Sequence, residues 1–311
     1  MRSNPIYKRE RTVGSRSIRI PMILTVFNCI LALAALLNMY SMVAQVEVTA
    51  EIQYSAFLEL YVFGAVIAFV MILFVMPALT AGSISGERER QTLDLLLSTQ
   101  VTGLEVAAGK LMAAMHHVIL LFVSSFPVMA MSFVYGGIRL WDLAFLVLSF
   151  LVAALFTACI GICFSALCRR TTMATALSYG MLALFVAGTY GINQFIWSMA
   201  NVENVSYVNQ IGGMGGQVNS GGFLYLLLLN PAVTFYEIIR GQLGRQETMA
   251  SVGQWFGGRP DNPILGAWVP VSLVLQVLLA GVFLAAAVWC LSPGLPKGRR
   301  SRREKGPGAA K

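Results

Sequence analysis

Six stretches of the chain are almost continuously apolar. They run over about 21–45, 56–81, 111–135, 142–168, 172–199 and 264–291. Each is longer than the roughly 20 residues a tilted helix needs to cross the hydrocarbon of a bilayer. Runs of that length predict helices, because a helix satisfies its own backbone polar groups in lipid. The first is too long for the apolar region of a cleaved signal peptide and predicts a retained signal anchor.

The polar positions between these stretches are not evenly charged. An even number of spans puts both termini on one side, and 18 of the 22 Lys and Arg residues fall on that side. They lie in the N-terminal segment, in the loops after the second and fourth spans, and in the tail. The other side keeps Arg139, Arg240, Arg245 and Arg259, with seven of the 14 acids. The positive-inside rule therefore predicts cytoplasmic termini, in a plasma or inner membrane. Composition agrees: 57% of the 311 residues are hydrophobic and only 12% are charged, about half the charge of a soluble domain. A soluble enzyme, a disordered chain and a nucleic-acid reader are excluded despite the net charge of +8. The basic tail reads as an orientation signal attracted to anionic membrane lipid. Residues 294–311 carry no apolar periodicity and predict disorder, leaving 1–293 as one membrane domain.

The spans lack the mid-membrane ionisable groups that an ion-coupled carrier needs. His116 and His117 are adjacent, so they point about 100° apart and do not share a ligand face. Cys159 and Cys163 share a face of the fourth span, but small buried cysteines at a helix interface account for them without a metal. No metal site is expected. Pro77 and Pro127 are expected to kink the second and third spans.

Two segments on the basic side carry pattern. Asn4 is suited to an N-cap and Pro5 to a first helical position. Ile6 and Val13 fall on one side of the helix they begin, away from Lys8, Arg9 and Arg11, which suggests a short interfacial helix; a plain basic flank is the alternative. The stretch 83–111 reads SISGERERQTLDLLLSTQVTGLEVAAGKL. Over 87–101 its period is helical: Glu87, Arg90, Gln91, Asp94 and Ser98 form a polar face, and Leu93, Leu96, Leu97 and Val101 an apolar stripe. Ser85 is placed to cap its start. Thr102 and Glu105 make a capping box leading into the third span. A helix held on its apolar side and charged on the other is either an interfacial anchor or a handle for a cytosolic partner.

The residues here resemble the permease subunits of ABC-2 type exporters. The likeness rests on Pro77-Ala78, on Gly86-Glu87-Arg88-Glu89-Arg90-Gln91-Thr92-Leu93-Asp94-Leu95-Leu96-Leu97-Ser98-Thr99, and on Gly109-Lys110-Leu111. Asn4, Pro5, Lys8, Arg9 and Glu10 are similar to the family's N-terminal connecting helix. Gln91 stands where the family pattern has Gly, and Gln100 where it has Pro. The resemblance implies that Glu87, Arg88, Glu89, Arg90, Thr92 and Asp94 form a coupling helix docking on a separate ATPase. It also implies a second permease subunit, the same chain or a homologue, and ATP with Mg bound only on the partner. The chain itself is expected to bind no cofactor and to have no enzymatic activity. Gly103 to Leu111 is no P-loop: it has one residue too many between its glycines and no Ser or Thr after Lys110.

On the opposite side, 200–263 holds a glycine-rich stretch and then Phe223–Leu229, too short to cross the bilayer. Asn230-Pro231 ends it and a helical pattern follows over 231–243, with Glu237, Arg240 and Gln242 polar. A re-entrant dip followed by an amphipathic helix is expected, or a surface helix lying on lipid. Similar elements close the outer mouth in the resembled family. The expected architecture is all-α and polytopic. A transport subunit worked by a separate ATPase is the function expected. A non-conducting anchor or scaffold and an ion-coupled carrier are the alternatives.

Overall fold

The computed structural model describes residues 5–15, 18–49, 55–93, 102–136, 139–211, 221–243 and 267–291. Every regular element among them is helical. In chain order they are α1 (Pro5–Ser15), α2 (Arg19–Thr49), α3 (Ser55–Ala81), α4 (Ser85–Glu89), α5 (Gly103–Gly136), α6 (Leu140–Leu167) and α7 (Thr171–Ala183). A π-helical segment (Leu184–Gly188) joins α7 to α8 (Thr189–Ile211). A 3₁₀ helix (Gly221–Leu229), α9 (Pro231–Gln242) and α10 (Trp268–Leu291) complete the set. Among the described residues six helical stretches are long and apolar enough to cross a membrane: Ile20–Ala44, Leu58–Glu89, Gly103–Pro127, Trp141–Leu167, Thr171–Val202 and Trp268–Leu291. The protein is an all-α polytopic membrane protein.

The fourth span, α6, is the centre of the bundle and packs against α3, α5, α7, α9 and α10. In lipid there is no water to drive apolar helices together, so close backbone approach and dispersion must hold them. Ala153, Ala154, Ala158, Gly161 and Ala166 provide that approach on α6. The tightest place is Gly161, where a Cβ would overlap the Thr80 hydroxyl of α3. Larger rings fill the space beyond it. Phe69 of α3 stacks on Phe235 of α9 with centroids 4.4 Å apart, and Phe150 of α6 lies 5.0 Å from Phe122 of α5. By contrast α2 leans on the bundle through Phe27 and Leu31 and leaves Leu33, Leu36, Leu37 and Tyr40 exposed.

Two expectations change. The helix expected over 87–101 is broken: α4 ends at Glu89, Arg90 and Gln91 form a turn in which Gln91 is left-handed with φ 58°, and Leu93 is helical again. Leu93 then enters an apolar cluster with Ile84, Ala107, Ile162 and Leu291. Asp94 and the rest of that stretch to 101 lie outside the described residues. The fifth span is interrupted by the π segment at Leu184–Gly188. The third span begins as helix at Gly103, as the Thr102–Glu105 box predicts, and α3 and α5 carry Pro77 and Pro127 inside them. The carbonyl of Phe74, one turn before Pro77, accepts a 2.6 Å bond from the Tyr179 hydroxyl.

The 3₁₀ helix and α9 meet at a 91° bend. Nine 3₁₀ residues rise about 18 Å, as do twelve α-helical ones, short of the roughly 30 Å of hydrocarbon. Neither crosses alone. The pair is set into the bundle rather than laid on lipid: Phe235, Ile238, Ile239 and Glu237 are all buried. Glu237, expected on a polar face, is among the most buried residues of α9.

A charge hub binds the α4 loop to four helices

One end of the bundle carries α1, α4, the C-termini of α3, α6 and α10, and the N-termini of α5 and α7. It is called the basic end here. Its centre is Lys110, about two turns into α5 from Gly103, with a side chain only 4% exposed. An ammonium ion withdrawn from water needs a partner for each of its three N–H groups. Lys110 donates to the Ser83 carbonyl at 2.8 Å, to Glu10 Oε1 at 3.0 Å and to Glu87 Oε1 at 3.0 Å. These acceptors sit in the α3–α4 turn, on α1 and on α4. Arg9, 60% exposed, stands 3.9 Å from the same Glu87 oxygen. Glu87 Oε2 is buried and has no hydrogen-bond partner among the described residues.

The rest of α4 is tied to the opposite flank. A five-residue helix starts with bare backbone N–H groups, and here no local side chain caps them. Ser85 donates instead to the Ala81 carbonyl. The cap is supplied from α6: Ser165 Oγ accepts from the N–H groups of Ile84 at 2.9 Å and Ser85 at 3.0 Å. Arg88 donates to the Cys168 carbonyl, just past the end of α6, at 3.0 Å. Glu89 Oε1 accepts from the Thr171 backbone N–H at 2.8 Å, so it caps α7 and suits the positive end of that helix dipole. The turn closes on itself when Thr92 N–H donates to the Glu87 carbonyl at 2.9 Å.

Of the six residues expected to couple, Glu87 and Arg88 thus face the protein, and Glu89, although exposed, is engaged by Thr171. Arg90, Gln91 and Thr92 are exposed at the tip. In the expected interfacial helix, Lys8 and Arg9 are exposed and Glu10 enters the hub. Pro5 begins α1, while Asn4 lies outside the described residues. The Thr102–Glu105 capping box forms as expected, with Glu105 Oε2 accepting from Thr102 N–H at 2.9 Å. Ser165, Cys168 and Thr171 carried no sequence signal, because each acts across more than 80 residues of chain or through its backbone. Lys110 did carry one, as the middle of Gly109-Lys110-Leu111, but its three partners were not readable.

At the opposite end Asn230 secures the bend. Its side chain caps α9 through the Ala232 N–H at 2.9 Å. It also donates to the Val186 carbonyl, in the π segment, at 2.8 Å and to Thr189 Oγ1 at 3.0 Å. Thr234, Ser272 and Gln276 bond to one another between α9 and α10, and Tyr61 donates to Gln242 at 2.8 Å. Cys159 and Cys163 pack in apolar clusters on α6.

The sequence profile described as ABC-2 family transporter protein matches residues 5–292. The chain belongs to the ABC-2 transporter family. That match takes in the hub, the α4 turn and all six spans. No curated protein matches the chain. The permease is accordingly the membrane-spanning component of an ABC transporter. Its one stretch reminiscent of a nucleotide loop, Gly103 to Leu111, is the opening of α5, whose N–H groups from Ala107 onward are used within the helix.

Proposed function

We propose that this permease is half of the pathway of an ATP-driven exporter, and that a separate ATPase grips it at the Arg90–Thr92 tip of the α4 loop. The observation that carries this reading is the way α4 is fastened. Five residues are bonded to α1, α5, α6 and the start of α7, so a push on the exposed tip reaches four helices at once. A loop serving only as an interfacial anchor would need its apolar face alone. In this reading the basic end is cytoplasmic, in a plasma or inner membrane. ATP and Mg are held by the ATPase, and a second permease subunit, identical or homologous, completes the pathway within membrane lipid.

The test uses the permease purified with its ATPase. Arg90→Glu, at the exposed tip, should release the ATPase or abolish permease-dependent hydrolysis while leaving membrane insertion intact. Arg240→Glu, on α9 at the other end, should do neither. Wild-type binding and hydrolysis in Arg90→Glu would remove the handle and leave α4 an anchor.

A further inference from the structure

We infer that Lys110 is a positioning residue for coupling: it fastens the N-terminal helix α1 and the α4 loop to α5, so that the three move as one lever. This rests on the ATPase acting at the α4 loop, and adds which residue carries the push to α1 and α5.

The bonds of α4 divide into two sets. Ser165, Cys168 and Thr171 hold it to α6 and α7. Lys110 holds it to α5, and through Glu10 to α1. These partners are 23 and 100 residues from Lys110 in the chain, so no local structure would otherwise keep them together. The side chain reaches them through a packed place: Ala107 and Val106 beside it on α5 are fully buried. Water has little room to substitute. On α1, Glu10 lies one turn from Ile6, which is 5% exposed, so these two buried-side contacts fall on one face. Removing the ion pair takes the charged bond of α5 away from α1, and the Arg9–Glu87 approach that remains is longer, at 3.9 Å.

A fastening of this kind differs from ordinary stabilisation in what its loss does. Two of the three acceptors are carboxylates, and Glu10 keeps 33% of its side chain in solvent. Neutralising Glu10 therefore leaves a hydrogen-bonding group in place and costs little folding energy, yet it loosens α1 from the lever.

The experiment places genetically encoded spin labels at Thr12 on α1 and Leu104 on α5, both exposed and outside the Arg90–Thr92 tip, in the full permease with its ATPase in lipid nanodiscs. Pulsed EPR reads the distance between them with and without a non-hydrolysable ATP analogue. In the wild type the distribution should stay narrow in both states. In Glu10→Gln and in Lys110→Met it should broaden. Permease-dependent hydrolysis should fall about tenfold in each, the size expected for one charge-assisted bond, with the ATPase still bound. Lys110→Arg should restore both readouts, and the double variant should be no worse than Lys110→Met. A narrow distribution in Glu10→Gln, or broadening with unchanged hydrolysis, would overturn the inference. If Lys110→Met fails to fold, Glu10→Gln decides alone. Failure of the wild-type permease to hold its ATPase counts instead against the coupling reading, and the label distance then still reports on the hub.

Discussion

Gln91 occupies a backbone conformation made for glycine. At φ 58° its Cβ crowds the following carbonyl, a strain of about 1–2 kcal/mol for a residue with a side chain. The turn is kept because Leu93 must reach its cluster while Arg90 and Thr92 stay outside. Gln91→Gly should therefore raise stability by about 0.5–1 kcal/mol, the relieved strain less the added freedom of the unfolded glycine, seen as a higher melting temperature in detergent. No rise, or a fall, would mean that the Gln91 side chain contributes something the turn needs. Gly161 is the reverse case. A methyl there meets Thr80 Oγ1 first, then Thr80 Cβ at 2.9 Å and the Ala81 nitrogen at 3.2 Å. Gly161→Ala should cost about 1–3 kcal/mol by overpacking. Adding Thr80→Ala should restore part of it, since the hydroxyl is nearest; an additive further loss in the double variant would contradict the close contact.

Among the elements, the 3₁₀–α9 bend depends on one side chain. Asn230→Ala removes the cap of α9 and leaves the Val186 carbonyl of the π segment without its donor. Together these should cost about 2–4 kcal/mol, measured as loss of thermal stability in detergent. Asn230→Ser keeps a capping oxygen and should lose less. Equal losses would mean the cap contributes nothing. The sequence showed that a break belongs at Asn230-Pro231, since both residues are turn and cap formers, and that Phe223–Leu229 is too short to span. It did not show that α9 is buried, because its partners Phe69 and Phe150 come from spans far away in the chain. The same division holds at the basic end. The Thr102–Glu105 box was legible as a local pattern. The Ser165 cap on α4 and the triple bonding of Lys110 were not, because each joins elements that only the fold brings together. The π segment at Leu184–Gly188 was hidden for a further reason: its sequence is as apolar as the helix on either side.

Across the whole molecule, among the described residues, the basic end holds the Lys110, Glu10, Glu87 and Arg9 ion pairs, the other end holds the Asn230 and Thr234–Ser272–Gln276 bonds, and an apolar bundle lies between. Force applied at the α4 tip has stiff routes into α1, α5, α6 and α7, while the 3₁₀–α9 element is bonded to the π segment and α10 at the far end. This is the arrangement expected of a transporter driven from one side, and the central claim is that the exposed tip is where the drive enters. The most direct measurement is site-specific photo-crosslinking in native membranes, with a photoreactive residue at Thr92 in one variant and at Tyr236, exposed on α9, in another. The account predicts that the Thr92 variant forms a covalent adduct with the ATPase, stronger when a non-hydrolysable ATP analogue is present, and that the Tyr236 variant forms none. Adducts with the ATPase at Tyr236, or at neither position while the complex still co-purifies, would contradict it.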